Sequence, residues 1–207
     1  MKSYKTEQEK FWAGEFGSNY IDRNQSKNLI ASNIALFSKV LSISDGISSI
    51  IEFGANIRLN LQALHTLLPN TSLTAIEIND TAVTMLKQFE YIKIYHDSIL
   101  EASINERYDL TLIKGVLIHI NPNELATVYE KLYNFSNRYI CIVEYYNPTP
   151  VELSYRGHEG KLFKRDFAGE FMDKYSDVKL IDYGFVYHRD ANFPQDDCTW
   201  FLLEKGN

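Results

Sequence analysis

Apolar positions along this chain fall into two alternating kinds of run, and the alternation predicts the fold. Short, nearly unbroken apolar runs at 48–53, 73–78, 92–96, 108–113 and 139–144 read as strands buried on both faces. Between them the spacing turns helical: over 60–68, stopped by Pro69 and Asn70; over 80–89, with Asp80 or Thr81 as the cap; and over 123–135, opened by Pro122. Upstream, Leu29, Ile30, Ile34, Leu36, Phe37, Val40 and Leu41 recur at spacings of three and four, a helical stripe within 25–42 that Asp45 and Gly46 end. Strands separated by helical crossovers run parallel, so the expectation is an α/β fold: a doubly wound, mostly parallel sheet with helices on both faces. Two more strand-like runs, 178–188 and 199–204, bring the count to seven, and 165–175 reads as one more helix. Residues 1–24 carry Gly14 and Gly17 too close together for a helix interior and read as an arm or lid over a single domain, 25–207.

Composition narrows the class. A 207-residue chain that is 45% hydrophobic is long enough to bury one sizeable core. A formal charge of −6 and a pI near 5.4 give no broad positive field, so nucleic acid is not the expected partner. Cys141 and Cys198 lie far apart without metal-ligand spacing and read as reduced thiols, with no metal expected. The opening MKSYKTEQEKFW lacks a signal peptide's apolar run, and no stretch approaches the roughly 18 apolar residues of a membrane span. A soluble, cytoplasmic protein with no membrane partner is the expectation.

The chemistry sits at the strand ends. SSIIEFGANIRLN runs from an apolar strand into a glycine turn and a helix, and the next strand closes on Glu77, an arrangement that suits an adenosine-containing cofactor. Gly54 allows close backbone approach beside Asn56, and Glu52 is placed near a positively charged amine or sulfonium. Glu77, with Ile78 beside it, can accept hydrogen bonds from both ribose hydroxyls. Asp97, Ser98 and Ile99 follow the third strand, where the adenine amino group is received, and Lys114 and Gly115 line the methionine part. Each feature alone is common in purely structural settings, but four successive strand ends carry polar or glycine residues behind apolar strands. Asn56 and Arg58 stand where a dinucleotide site has further glycines, so a pyrophosphate is poorly served. S-adenosylmethionine, which has no phosphate, is the candidate.

An acceptor would meet the loops beyond these ends. His119 either faces it or packs at an apolar helix start. Tyr145 and Tyr146 are placed to flank the transferred methyl or stack on a sugar, or belong to the core. Tyr155, Arg156, His158, Lys161, Lys164 and Arg165 concentrate positive charge in an acidic chain, reading either as a pocket for a carboxylate or nucleotide diphosphate or as a solvated loop. The catalytic candidates are therefore His158, Tyr145 and His119, with His158 preferred as base for a hydroxyl acceptor because imidazole titrates near neutrality. Tyr20 and Arg23 are expected to close over the cofactor, Arg23 pairing its carboxylate. Asp196 and Asp197 either act as base or orient an amine, or mark a turn.

EFGAN, the strand-end Glu77, HDSI and YDLTLIKGVLIHINP together resemble, in order, the motifs of class I S-adenosylmethionine-dependent methyltransferases, apart from Asn56 and Arg58 at positions where glycine is frequent. FWAGEFGSNYIDRN, EYYNPTPVELSYRGHEGKLFKRDFAGEFMDKY and FPQDDCTWFLLEK extend the likeness across nearly the whole chain to methylases associated with pseudaminic acid biosynthesis. That resemblance implies a Rossmann-like methyltransferase fold, S-adenosylmethionine as cofactor, and a role in tailoring nonulosonic acids or related sugars of flagella and surface glycans. A sugar or sugar-nucleotide, expected to be anionic, is the implied acceptor. A small acid or amine, or cofactor binding without catalysis, are the competing readings.

Overall fold

The computed structural model describes residues 4–23 and 27–206, leaving aside the side chains of Asp22, Arg23 and Lys27. The arm is helical, contrary to the expectation drawn from its glycines: α1 spans Glu7–Ala13 and α2 spans Glu15–Arg23. Thr6 starts α1 with a capping box, its Oγ1 accepting the Glu9 N–H at 3.1 Å while Glu9 Oε2 accepts the Thr6 N–H at 2.9 Å. Gly14 ends α1 as its cap. Gly17 lies inside α2 because a Cβ there would sit 1.9 Å from the Trp12 carbonyl oxygen. Its role is close helix contact, not flexibility.

The chain continues through α3 (Lys27–Ser42), β1 (Ser49–Phe53), α4 (Leu59–Leu67), β2 (Ser72–Glu77), α5 (Asp80–Leu86), β3 (Ile92–His96) and β4 (Tyr108–Lys114). Two short 3-10 turns lead to α6 (Leu125–Phe135) and β5 (Ser136–Glu144); the last third holds β6 (Val151–Tyr155), β7 (His158–Lys164), α7 (Phe167–Lys174), β8 (Val178–Val186) and β9 (Cys198–Lys205). Seven strands form one sheet in the order β3-β2-β1-β4-β5-β9-β8, the first five parallel and β9 antiparallel to both its neighbours. This is the expected mostly parallel, doubly wound sheet. One face packs on α6 and α7 through Phe53, Ile113, Leu132 and Phe171, all fully buried. The other packs on α3 and α4 through Phe37, Ile50, Leu64 and Leu112.

The antiparallel hairpin β6–β7 is the element the periodicity did not predict. Strand β6 is exposed along most of its length, so it carries no apolar alternation. Its turn places Arg156 and Gly157 at φ +51° and +84°, the positive angles a two-residue hairpin turn of the primed class needs. The strand order reverses between β1 and β4, so the connections leaving them diverge and open a crevice at the carboxyl ends.

Gly17→Ala is expected to destabilise the docked α1–α2 unit by about 1–3 kcal/mol, the usual cost of overpacking. Limited proteolysis would read this as faster cleavage within residues 4–23, ahead of any loss of the sheet's cooperative melting.

Candidate functional site

A cavity of about 500 Å³ fills that crevice, walled by the loops after β1 to β5, roofed by α1 and α2, and closed at one side by the β8–β9 loop. Glu77, the last residue of β2, is buried and lines it. Its Oε2 accepts the Asn56 N–H at 2.7 Å and its Oε1 the Asn79 N–H at 2.7 Å, so one carboxylate joins the turn after β1 to the turn after β2. Burial pushes its pKa up, and those two N–H donors oppose the shift. Asn79 extends the linkage: its Oδ1 caps α5 by accepting from Thr81 and Ala82, while its Nδ2 donates to the carbonyls of Trp12 at 3.0 Å and Gly14 at 3.4 Å in the roof.

The β1 turn keeps glycine geometry with few glycines. Gly54 has φ +75°, and a Cβ there would meet Val116 Cγ2 at 2.8 Å. Asn56 and Arg58 adopt φ +47° and +81°, so these two departures from glycine still take the left-handed conformation. Arg58 is secured by its guanidinium 3.9 Å over the Phe89 ring and by donation to the Ile57 carbonyl.

Glu52 stands behind the cavity and does not line it. Fully buried, it accepts from Asn60 Nδ2 at 2.6 Å through Oε1, while its Oε2 has no partner. Burial raises its pKa to about 7, opposed by the Asn60 bond and the Lys114 charge. Asn60 does line the cavity, and its buried Oδ1 also lacks a partner. Glu144, which the sequence did not single out, ends β5 by accepting from the N–H groups of Val116 and Leu117 at 2.9 and 2.8 Å, with its pKa raised by burial to about 7. Lys114 and Gly115 line the wall, and the Lys114 charge acts on both buried carboxyl groups.

At the end of β3 the expected set divides. Ser98 and Ile99 line the cavity, as does Ile78, whereas Asp97 is exposed and accepts its neighbour's N–H. The Ser98 hydroxyl donates to Glu9 of α1, a residue the sequence did not single out.

Rings surround the opposite end. Trp12 lies 5.3 Å from Tyr20 and 4.6 Å from His119, and Tyr155 lies 4.9 Å from His119; Tyr145 completes this wall. His119 Nδ1 is 2.6 Å from the Lys161 carbonyl, which fixes the hydrogen on Nδ1 and leaves the lone pair on Nε2. Burial lowers its pKa to about 4. The Tyr145 pKa is raised first by burial and then by the charge of the nearby Asp196 carboxylate. His188, also absent from the sequence candidates, lines the cavity with Nδ1 at 2.8 and 2.9 Å from the two Asp197 oxygens.

Several expected residues lie elsewhere. His158, the preferred base, is exposed and packs edge-on against Phe11 and Phe16 outside the cavity, because the hairpin turn places it on the far side of the arm. Tyr146 is exposed near Phe201, and Arg156 is exposed at the hairpin turn. Lys161 pairs with Glu7 at 3.5 Å, and Arg165 is held by Glu170 at 2.6 Å. Lys164 rests 4.7 Å over the Tyr145 ring without lining the cavity. The Arg23 side chain lies outside the described residues. Both cysteines are buried and free, and Cys198 touches the cavity. Among the described residues no three His, Cys, Asp or Glu side chains gather as a metal site, and no helix is long and apolar enough to cross a membrane.

A seven-stranded sheet of this order with its cavity at the carboxyl ends defines a Rossmann-like methyltransferase fold, and solved structures agree. The chain superposes on the 1,6-didemethyltoxoflavin-N1-methyltransferase of Burkholderia thailandensis, solved with 1,6-didemethyltoxoflavin and S-adenosylhomocysteine, at TM-score 0.71 and 12% identity over 100% of this chain and 94% of that one. The plantazolicin methyltransferase BpumL in complex with S-adenosylhomocysteine matches at TM-score 0.66 and 15% identity, over 97% and 94% of the two chains. The N-methyltransferase NodS of Bradyrhizobium japonicum WM9 matches at 0.64 and 14%, over 91% and 98%. No protein-family model matches the chain, nor does any curated protein.

Glu52 supplies a test of the site's electrostatics. Its folded pKa of about 7 lies above its ordinary 4.5, so the folded state keeps a proton that the unfolded chain releases, and stability is lost as pH rises from 4.5 through 7. Glu52→Gln, which keeps the acceptor for Asn60, is expected to exceed the parent in stability above pH 7 by on the order of 1–3 kcal/mol, the difference fading below pH 4.5. Urea unfolding of both proteins at pH 4.5 and 8.5 measures it.

Proposed function

We propose that the chain is an S-adenosylmethionine-dependent methyltransferase acting on a small molecule. The observation that carries this reading is Glu77: a buried carboxylate at the end of β2, beside the Gly54 turn, lining a cavity large enough for a nucleoside and a second small molecule. Each Glu77 oxygen uses one lone pair on a backbone N–H and keeps another for a ribose hydroxyl. Ile78, Ile99 and Leu100 supply apolar faces for adenine, with Ser98 at its edge. Asn60 Oδ1, buried without a partner, is an acceptor suited to the methionine ammonium, with Glu52 fixing the amide's orientation from behind. Lys114 is the cation for its carboxylate, with Arg23 of α2 as a second candidate. When bound, the cofactor supplies an electrophilic methyl group on a sulfonium.

The chain's own residues then position and desolvate. Trp12 and Tyr20 in the roof cover the reaction from water. His119 stays neutral, and its Nε2 lone pair accepts a hydrogen bond from the acceptor's N–H or O–H, orienting the attacking atom. With a pKa near 4 it is an orienting group and a poor store for a proton. For the acceptor, the family resemblance and the ring-lined wall support a sugar or sugar-nucleotide of pseudaminic acid or surface-glycan biosynthesis. Support for an anionic grip is thin, since Arg156, Lys161 and Arg165 are engaged away from the cavity or exposed.

Calorimetry with S-adenosylhomocysteine checks the donor site. Glu77→Ala is expected to weaken binding by about a hundredfold or more, two hydrogen bonds to a charged group being lost together. Unchanged affinity in a folded variant would remove the ribose assignment. Incubation with S-adenosylmethionine and nucleotide-linked nonulosonic acids, read by mass spectrometry for addition of one methyl group, tests the acceptor class.

A further inference from the structure

We propose that two copies of this chain pair through the terminal strand of the sheet, β8 against β8, antiparallel about a two-fold axis at Phe185. Most of the large apolar side chains exposed among the described residues fall within 180–193, and Tyr183, Phe185 and Tyr187 form a row at 62%, 57% and 43% exposure. Alternation along the chain puts the three on one face. Gly184 turns its bare side to the other face, where a Cβ would meet the Trp200 ring at 2.7–2.8 Å. The rings therefore stand on the side of Phe201, which stacks 6.2 Å from Tyr183 and lies 6.3 Å from the exposed Tyr146. With Leu180 and Ile181 these side chains present roughly 500 Å² of apolar surface, the size at which a patch marks a contact. Strand backbone and flanking charges bring it toward the about 800 Å² that each partner gives to a stable interface.

The pattern around Phe185 selects a second copy as the occupant. Tyr183 and Tyr187 lie two residues to either side of it, so a two-fold axis there sets Phe185 opposite Phe185 and each Tyr183 opposite the second copy's Tyr187, an unbroken row of aromatic cross-strand pairs. The flanks carry opposite charge. Asp182 precedes the row and Arg189 follows it, both exposed, and the same axis brings each acid toward the other copy's base. Residues 183–187 hold no proline and no charge, whereas the opposite edge strand, β3, carries the exposed Lys93, a charge that discourages strand addition. The irregular register between Leu180 and Asp182 falls just before the row, ending the pairing without interrupting it. Pairing also reaches the site. Tyr187 leads into the loop whose Pro194, Gln195 and Asp196 line the cavity, and its carbonyl accepts the Gln195 N–H at 3.4 Å, so the second copy holds that loop at its root.

Sedimentation equilibrium of the full chain across the micromolar range tests the pairing, and a dimer is expected. Phe185→Arg sets two like charges together at the axis and is expected to raise the dimer dissociation constant about a hundredfold or more. Asp182→Arg and Arg189→Asp are each expected to weaken the dimer, and the double variant to restore it, a rescue that requires these two positions to meet. Phe185→Cys keeps the test open should the arginine variant fail to fold: residues directly opposite in an antiparallel pair have Cα atoms about 4.5–5.5 Å apart, within disulfide reach, so mild oxidation is expected to give a covalent dimer. A dimer indifferent to Phe185→Arg, single-charge variants that the double variant does not rescue, or a Phe185→Cys protein that stays uncrosslinked would each overturn the proposal. A parent that is monomeric at every concentration would overturn it too, and would leave the ring row to a partner of another kind.

Discussion

The Glu77 carboxylate is the constraint on which the rest of the site depends. Without it, two backbone N–H groups, at Asn56 and Asn79, would be left in a buried crevice with no acceptor, a cost of about 1–3 kcal/mol each. With it, the turn after β1 and the turn after β2 share one anchor. The left-handed Asn56 and Arg58 are held in place by that anchor on one side and by the Phe89 stack on the other. A strained turn persists only where its surroundings over-determine it, and here they do.

A second level of organisation comes from carboxyl groups that serve backbone and neighbours before any ligand. Glu52 orients Asn60, Glu144 gathers the N–H groups of Val116 and Leu117, and Glu9 both caps α1 and meets Ser98. Each is buried, so each costs desolvation energy that only well-aimed donors offset. Lys114 sits where the fields of Glu52 and Glu144 overlap, which keeps a positive charge at the cavity wall.

The sheet was legible because β1, β2, β4 and β5 are buried along most of their length and their apolar runs are nearly continuous, with only the edge strand β3 partly exposed. That Gly54, Glu77, Ser98, Lys114 and Gly115 line one cavity was legible too, since they stand at strand ends whose place in the fold is set by topology. The other half was not legible, for physical reasons. The exposed β6 has no alternating pattern, so the hairpin that carries His158 and the cations outward left no trace in the periodicity. Gly14 and Gly17 read as breakers, although the second permits a backbone contact between two helices that only the tertiary structure reveals. His188 and Asp197 are nine residues apart across a loop rich in turn-forming residues, and their pairing is a property of how β8 and β9 register.

Asn79 leads to a different kind of conclusion. One side chain caps α5 with its oxygen and holds the roof with its nitrogen, so the first turn of α5 and the covering of the cavity are joined through Asn79, beside a second contact between the Ser18 and Thr81 hydroxyls at 3.2 Å. Lifting the roof breaks the bonds on one side of that amide and loosens the cap on the other. The Thr81 and Ala82 amides, whose protons are shielded only while Asn79 stays in place, thereby act as built-in reporters of the roof, and their exchange with solvent records how often it opens.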